Sequence, residues 1–349
     1  MNPFEKKKVF ILGIDGYLGF SLADYLMKKD FLVAGVDNYL RRKLVRDVGS
    51  FSLTPIDDRK TEWPFIYGDI TDYKLISQLM ADFRPDVVIH FAEQPSAPYS
   101  MKGQEEAFLT QKNNILGTLN LLWAVKNFSP KTQIIKLGTM GVYGTPEEDI
   151  PESDGAVAYD PASFYHNSKA MDSINLRKAC QWWGLNATDL HQGVVYGHYP
   201  NTRFDYDEYF GTAVNRFLVQ SMADIPLTIY GKGGQTRGFI YIQNTLEAIE
   251  LAINNPAKGY RVFNQFTEIM SINHIAEMVS KLTGAKIQSI ENPRIEKEEH
   301  YYKPTHEKLL KLGLKPYFMK DMLPKILGEI KHYKSRIIER TILPKHSWR

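Results

Sequence analysis

Cysteine is almost absent from this sequence, because Cys180 is the only one among 349 residues. A single cysteine excludes an intrachain disulfide and a metal site built from several thiolates, and it is typical of a reducing compartment such as the cytoplasm. An excess of one charge is also missing, since 43 basic and 40 acidic side chains leave a net charge of +3. So small a net charge gives little attraction for nucleic acid or an anionic membrane. We therefore expect a cytoplasmic protein with no bound metal, no nucleic-acid partner and no membrane partner.

The sequence also has no long hydrophobic run, no low-complexity tract and no internal repeat. Its first apolar run, Val9–Leu12, is soon followed by Asp15, too early for a signal peptide or a membrane span. With 43% hydrophobic residues and 24 glycines, the composition is that of a globular protein. The length of the chain favours two cooperating lobes.

Short apolar runs alternate with longer amphipathic stretches between residue 8 and about residue 138. This alternation predicts an α/β fold, a Rossmann-type doubly wound parallel sheet with right-handed crossovers. Ligands of such sheets bind at the carboxyl ends of the strands, where the strand order switches. The predicted strands are 9–13, 32–37, 65–68, 87–91, 134–138 and 187–192, and the predicted helices are 16–28, 72–82, 105–126, 163–183, 244–253, 272–282, 305–312 and 322–333.

The regular pattern ends near Tyr196, and loops rich in tyrosine, aspartate and glycine follow up to Gly238. We therefore predict a first domain of residues 1–192, to which residues 238–264 return. Residues 193–237 and 265–349 are predicted to form a second, smaller domain of mixed α/β structure.

Three evenly spaced glycines follow the first predicted strand in Gly13-Ile14-Asp15-Gly16-Tyr17-Leu18-Gly19. Glycine allows a tight turn there and lets backbone amides at a helix N-terminus approach a pyrophosphate. Asp37 ends the second strand, where a carboxylate accepts hydrogen bonds from ribose hydroxyls and repels a 2′-phosphate, which favours NAD over NADP. Arg41 and Arg42 lie nearby and are the residue type that accommodates that phosphate. Asp69-Ile70 follows the third strand and is a candidate for contact with the adenine.

A phenol and an ammonium lie one helical turn apart in Tyr165-His166-Asn167-Ser168-Lys169. Phenol is a poor base at neutral pH, so a nearby cation that favours phenolate is what proton abstraction requires. Thr139 ends an earlier strand in Leu137-Gly138-Thr139-Met140, where its hydroxyl can bind a sugar oxygen that is being oxidised. The pattern predicts that Thr139, Tyr165 and Lys169 are catalytic.

These residues resemble the extended short-chain dehydrogenase/reductases, the NAD-dependent epimerase/dehydratases, and among them the family of UDP-sulfoquinovose synthases. The similarity extends over nearly the whole chain. It is carried by Gly13–Gly19, Ser52–Ile56, Ser96–Met101, Leu137–Gly141, Ser163–Lys169, Gln192–Gly197, Tyr230–Gly238, Asn264–Glu268 and Asn292–Arg294.

The resemblance implies an enzyme of nucleotide-sugar metabolism that supplies UDP-sulfoquinovose for sulfolipid biosynthesis. Bound NAD would oxidise C4 of UDP-glucose, loss of the C6 hydroxyl would give a 4-keto-5,6-ene, sulfite would add at C6, and the hydride would return to C4. Tyr165 would be the C4 base, Lys169 its activator and Thr139 the group that polarises the oxygen, while His166 or Met140 would line the elimination step.

Binding residues follow from the same resemblance, with the first domain for NAD and the second for the UDP-sugar. NAD would contact Gly13, Asp15, Gly16, Tyr17, Leu18, Gly19, Asp37, Asn38, Arg41, Arg42, Asp69, Ile70, Phe91, Ala92, Glu93, Asn114, Leu137, Tyr165, Lys169 and Val195. The UDP-sugar would contact Thr139, Met140, Tyr165, His166, Gln192, Arg203, Thr228, Tyr230, Gln235, Arg237 and Arg294. The family also implies a homodimer that pairs the helices near 105–126 and 163–183 in a four-helix bundle.

Two positions depart from the family pattern. Pro95 stands where the family has an arginine in Glu-Gln-Arg-Ser-Ala-Pro, and Val142 replaces the glutamate of Gly-Thr-Met-Gly-Glu-Tyr-Gly. Both departures concern the sulfite step and leave C4 oxidation untouched. A UDP-hexose 4-epimerase or dehydratase that does not use sulfite therefore stays an alternative, and so does a non-catalytic nucleotide-sugar sensor.

Overall fold

The computed structural model describes residues 6–57, 59–153, 157–294, 297 and 302–348. Residues 1–5, 58 and 154–156 of the predicted first domain lie outside the described residues. The first part of the chain contains β1 (Lys8–Leu12), α1 (Tyr17–Met27), β2 (Leu32–Asp37), α2 (Leu40–Asp47), β3 (Phe65–Tyr67), α3 (Tyr73–Phe83), β4 (Val87–His90), α4 (Ala97–Ser100), α5 (Gln104–Gln111), α6 (Gly117–Phe128), β5 (Gln133–Leu137), α7 (Phe164–Trp183) and β6 (Asn186–Gln192). The rest contains β7 (Val194–Tyr196), α8 (Ala213–Met222), β8 (Leu227–Tyr230), β9 (Thr236–Tyr241), α9 (Ile242–Asn254), β10 (Tyr260–Gln265), β11 (Glu268–Ser271), α10 (Ile272–Thr283), β12 (Ile287–Ile290), α11 (Glu307–Lys311) and α12 (Met319–Ile330).

Seven parallel strands form the main sheet in the order β10-β6-β5-β4-β1-β2-β3. This is the Rossmann-type α/β fold that the alternating pattern predicts. The strand order reverses between β1 and β4, so the crevice expected to hold ligands opens at the carboxyl ends of these two strands. The edge strand β10 ends the segment 238–264 and pairs with β6, so that segment contributes to the main sheet. The exact division of the chain into two domains stays a prediction.

Side chains alternate between the two faces of the sheet and build a core on each. Val9 and Ile11 of β1 belong to the core that includes α1 and α9. Phe10 and Leu12 belong to the core that includes α3, α6 and α7. Because both faces are covered, the central strands β1, β2 and β4 are apolar almost throughout, as expected for a parallel sheet between helices.

The smaller lobe contains strands too short to stand out in the sequence. β7, β9 and β11 form one small sheet, and β8 pairs with β12 in another. The carboxyl end of the chain returns to this lobe, where α12 buries Met319, Leu323 and Ile326. Among the described residues, no helix is long and apolar enough to cross a membrane.

The predicted helix 105–126 is interrupted. A π-helical segment, Lys112–Leu116, separates α5 from α6. It turns Asn113 and Asn114 into the protein, and Asn114 hydrogen-bonds with the Gln94 backbone and with Ser168 Oγ. π-bulges of this kind occur frequently at functional sites.

Candidate active site

One large cavity lies at the switch point of the sheet and reaches the smaller lobe. Its volume is about 820 Å³, within the range of ligand pockets. The glycine turn after β1 and residues Phe91–Glu93 after β4 line it on one side. Residues of the smaller lobe, among them Arg237 and Arg294, line the other.

The glycine turn is required by close packing of the backbone. Gly13 has a φ of +84°, and a Cβ there would lie 2.7 Å from the Ala92 nitrogen and the Phe91 carbonyl carbon. A Cβ at Gly19 would lie 2.0 Å from the Gly13 oxygen. Helix α1 begins directly after Gly16, and its first turn lines the cavity, so its N-terminus lies where a pyrophosphate would bind.

Asp37 lies at the end of β2 on the cavity wall. Its carboxylate accepts hydrogen bonds from the backbone N–H groups of Asp15 (2.9 Å) and Tyr39 (2.7 Å). Burial, with a smaller contribution from Asp15, raises the pKa of Asp37 to about 6. At neutral pH the group is therefore an anion with acceptor capacity left for ribose hydroxyls.

The two arginines near this edge are already paired. Arg42 donates to both oxygens of Asp15 (2.6 and 2.7 Å), and Arg59 binds the same carboxylate. Arg41 donates to Asp205 at 2.8 Å and lies over the Phe210 ring. Asp15 holds Arg42 and Arg59, and Asp205 holds Arg41, so all three guanidinium groups already have carboxylate partners.

The predicted catalytic group lies where the cavity meets β5 and α7. Tyr165 and Thr139 both line the cavity, and Thr139 Oγ1 accepts a hydrogen bond from the Gly141 backbone N–H at 3.1 Å. Burial raises the pKa of Tyr165 to about 12, while Lys136, Thr139 and Arg41 act to lower it. Lys169 donates to the Leu137 carbonyl oxygen at 2.5 Å, and its Nζ lies 5.8 Å from the centre of the Tyr165 ring. Burial lowers the pKa of Lys169 to about 8.

His166 is the second titratable group on this wall. Its Nδ1 lies 3.0 Å from Ser163 Oγ, and its ring packs against Gly141, where a Cβ would lie 2.4 Å from the imidazole. Burial, then the charges of Arg237 and Arg294, lower the pKa of His166 to about 3. The imidazole is therefore neutral and able to accept a proton.

The structure brings most of the sequence-predicted site residues to the cavity and leaves others behind its wall. Those lining it are Gly13, Gly16, Tyr17, Leu18, Gly19, Asp37, Asn38, Arg41, Ile70, Phe91, Ala92, Glu93, Leu137, Thr139, Met140, Tyr165, His166, Gln192, Val195, Arg237 and Arg294. Those that do not line it are Asp15, Arg42, Asp69, Asn114, Lys169, Arg203, Thr228, Tyr230 and Gln235.

The residues behind the wall are held by neighbours rather than directed at the cavity. Arg203 is buried and binds Asp205. Thr228 hydrogen-bonds with Gln220, and Tyr230 accepts from Arg216 while its backbone accepts from Gln235. Asp69 accepts from Thr71 and Asn38 in the turn before α3, whose N-cap is Asp72. Tyr230 borders a second, small cavity that it shares with Arg294 and Trp348.

Several lining residues were not expected from the sequence. They include Pro95 and Asn113, and from the carboxyl-terminal part Lys297, Tyr302 and Trp348. No local motif marks the last three, because they reach the cavity only when the end of the chain folds back. Val142, in contrast, is fully buried in a cluster with Tyr143 and Ile150 and does not line the cavity.

Residues 9–264 match the family model described as the NAD dependent epimerase/dehydratase family. The chain belongs to this family. Among curated relatives, the chloroplastic UDP-sulfoquinovose synthase of Spinacia oleracea is 44% identical and is matched over 100% of this chain and 80% of its own length. The UDP-sulfoquinovose synthase of Sulfolobus acidocaldarius is 41% identical over 98% of both chains.

Solved structures of the family have the same fold. A UDP-glucuronic acid 4-epimerase from Bacillus cereus, in complex with UDP-glucuronic acid and NAD, is 25% identical with a TM-score of 0.75, covering 93% of this chain and 99% of its own. A UDP-glucose 4-epimerase from Thermotoga maritima, 22% identical with a TM-score of 0.78 and the same coverage, shows the likeness of the fold alone.

The residues present fit the NAD that the family implies. The glycines of the turn Gly13–Gly19 line the cavity at the start of α1, together with Tyr17 and Leu18. Asp37 has the acceptor oxygens that ribose hydroxyls need. Tyr165 and Thr139 lie at the other end of the same wall, with Lys169 behind it. A dinucleotide would extend from Asp37, past the turn, toward Tyr165.

Proposed function

We propose that this chain is an NAD-dependent enzyme that converts UDP-glucose to UDP-sulfoquinovose with sulfite as the second substrate. The observation that carries the proposal is the position of Tyr165 and Thr139 on the cavity wall that begins at the glycine turn, with Lys169 behind that wall and its Nζ 5.8 Å from the centre of the Tyr165 ring. Two full-length relatives above 40% identity, both named UDP-sulfoquinovose synthases, support the choice of substrates.

Oxidation at C4 requires removal of the hydroxyl proton together with a hydride. When bound, NAD accepts the hydride from C4 and later returns it. The positive charge of Lys169 favours the phenolate form of Tyr165, and this phenolate takes the hydroxyl proton and becomes the neutral phenol. Thr139 lines the same part of the cavity, where its hydroxyl can bind the sugar oxygen that is being oxidised. The raised pKa of Tyr165 makes this cationic support necessary.

Elimination at C5 and C6 requires a base for the proton that the C4 ketone has made acidic. His166 is the neutral group on this wall, and Arg237 and Arg294 now lower its pKa. A diphosphate bound by these two guanidinium groups would neutralise them, since planar forks bind phosphate oxygens in pairs. The pKa of His166 would then rise, so substrate binding itself would prepare the base. Met140 lines the same part of the cavity.

The sulfite step is where the sequence departs from the family. Pro95 lines the cavity at the position of the missing arginine, and Val142 is buried, so neither supplies a charge for an incoming anion. Lys297, Arg237 and Arg294 remain as cations on the cavity wall. The departures favour one alternative, a 4-epimerase or dehydratase that acts on the same UDP-hexose without sulfite.

Mass analysis of the products separates these functions. The protein is incubated with NAD and UDP-glucose, with and without sulfite. UDP-sulfoquinovose contains the elements of UDP-glucose and sulfurous acid minus water, so a sulfite-dependent product of that mass supports the proposal. An isomer of unchanged mass supports the epimerase, loss of water alone supports the dehydratase, and no turnover supports a sensor.

The exposed faces of α5, α6 and α7 support a homodimer. Phe108 and Trp182 are each 70% exposed, and Trp123 and Phe164 are exposed on the same group of helices. Large apolar side chains concentrated on one face are typical of an interaction surface. We propose that two copies pair these helices in a four-helix bundle.

Sedimentation analysis tests the dimer. Trp123→Glu places a charge in the proposed interface and should give a monomer, because an unpaired buried charge is costly. Phe318→Glu is the matched control, since Phe318 is 45% exposed, close to the 43% of Trp123, but lies in the smaller lobe. Equal sedimentation of both variants as dimers would refute this interface.

A further inference from the structure

A row of buried charges extends from Lys169 away from the cavity. Lys169 forms an ion pair with Glu93 Oε2. The other oxygen of Glu93 lies 3.4 Å from the Nζ of Lys136, and that Nζ lies 3.9 Å from Asp172 Oδ2. All four side chains are almost completely buried.

Three separate elements contribute to this row. Glu93 follows β4, Lys136 lies within β5, and Lys169 and Asp172 are three residues apart on α7. Glu93 lines the cavity, whereas Lys136 and Asp172 do not. No hydrogen-bond partner among the described residues satisfies Lys136 Nζ or the Glu93 carboxylate, so ion pairs must offset their burial.

Buried ion pairs are a poor source of stability. Removing charges from water costs several kcal/mol per ion, and apolar residues of similar volume often serve the fold as well. Lys136 lies between the apolar residues Ile134, Ile135 and Leu137 of β5, and its burial therefore calls for an explanation other than stability. The contact of Lys136 with Glu93, the carboxylate that binds Lys169, supplies that explanation.

We propose that Glu93 is a positioning residue that holds Lys169 against the Leu137 carbonyl, and that Lys136 in turn holds Glu93 in place. Lys169 then keeps its proton and its orientation toward Tyr165 although it is buried. The consequence for oxidation at C4 rests on the proposed function, but the charge state of Lys169 does not.

The other charged groups around Lys169 are consistent with this arrangement. His90 of β4 is uncharged, because burial and the two lysines lower its pKa. Asp189 and His191 of β6 pair with each other at 3.4 Å. Burial raises the pKa of Asp172 to about 7 against the opposing effect of both lysines. Arg41 of α2 and Lys136 both act to lower the pKa of Tyr165. Glu93 is thus the carboxylate in ion-pair contact with both lysines.

The direct test is the pKa of Lys169 in the ligand-free protein. It is followed by NMR of lysine labelled with ¹³C at Cε, with the signal assigned through Lys169→Arg. Glu93→Gln keeps the shape but removes the negative charge, so the pKa of Lys169 should fall by about one unit or more. Lys136→Met removes a like charge, so the pKa of Lys169 should rise. The double variant Glu93→Gln/Lys136→Met removes one negative and one positive charge, so the pKa of Lys169 should return close to its wild-type value.

The pH profile of C4 oxidation gives a second readout. Glu93→Gln should move the alkaline limb to lower pH, because Lys169 loses its proton earlier. Lys136→Met should move the acidic limb to higher pH, because Tyr165 loses a nearby cation. Glu152→Gln is the control, since Glu152 is also buried but accepts from the Asn264 and Lys308 backbones, away from the cavity. It should leave both limbs in place.

An unchanged pKa of Lys169 in Glu93→Gln would overturn the proposal, as would a double variant whose shift equals that of Glu93→Gln alone. If Glu93→Gln does not fold, the Lys136→Met variant still tests the proposal. A pKa of Lys169 that does not rise in this variant would contradict the predicted proximity of the Lys136 and Lys169 charges. The NMR titration needs neither NAD nor sugar. Failure of the proposed function with UDP-glucose would therefore leave its result intact.

Discussion

His166 should make the folded protein sensitive to mild acid. Burial and the neighbouring arginines lower its pKa from 6.5 to about 3, so the folded protein keeps the imidazole neutral when the unfolded chain already binds a proton. A histidine of this kind stabilises the fold above its unfolded pKa, and that contribution is lost as the pH falls. Each pH unit below the pKa of the histidine in the unfolded chain lowers the free energy of unfolding by about 1.4 kcal/mol. Between pH 7 and about pH 5 the loss is therefore about 2 kcal/mol.

The measurement compares wild type with His166→Asn, which retains a polar group near Ser163 but does not titrate. Urea unfolding of both proteins at the two pH values gives four free energies of unfolding. The difference between wild type and variant should change by about 2 kcal/mol in favour of the variant at the lower pH. Other acidic groups titrate in both proteins and cancel in this difference. A difference that does not change with pH would refute a neutral, buried His166.

Two further substitutions test the cavity wall. Gly13→Ala should abolish NAD binding in calorimetry and lower the melting temperature, because its Cβ would lie 2.7 Å from the backbone of Phe91 and Ala92 at a φ of +84°; unchanged affinity would contradict the tight turn. Gly141→Ala should displace the His166 ring, which lies 2.4 Å from the added Cβ. The Gly141→Ala variant should still reduce NAD with UDP-glucose in a single-turnover absorbance experiment, but it should form little C6-modified product. Equal loss of NAD reduction and of that product would argue against a separate role for His166.

The main sheet was predictable because its strands are buried on both faces. Val9–Leu12 and its parallel neighbours are continuous apolar runs, and amphipathic helices separate them. The strands of the smaller lobe were not predictable, since β7 has only three residues and pairs with β9 about forty positions later. Such contacts leave no periodic pattern in the sequence.

The candidate site was predictable where a motif is local. Gly13–Gly19 and Tyr165–Lys169 place their residues within one turn of backbone, and the structure brings both to one cavity. Lys136 and Trp348 carry no such signal, because their partners are distant in sequence. The π-helical segment at Lys112–Leu116 was also missed, since a helix with one extra residue in a turn keeps nearly the same apolar spacing.

The central claim is that the Tyr165 phenolate removes the C4 hydroxyl proton of a bound UDP-hexose. Its most direct test is a single-turnover experiment in which wild type and Tyr165→Phe are mixed with NAD and UDP-glucose, while calorimetry gives the affinity for UDP-glucose. Formation of reduced NAD should fall by roughly 10³-fold in the variant, with the affinity changed by less than about threefold. A variant that reduces NAD at the wild-type rate, or one whose loss of rate equals its loss of binding, would contradict the assignment.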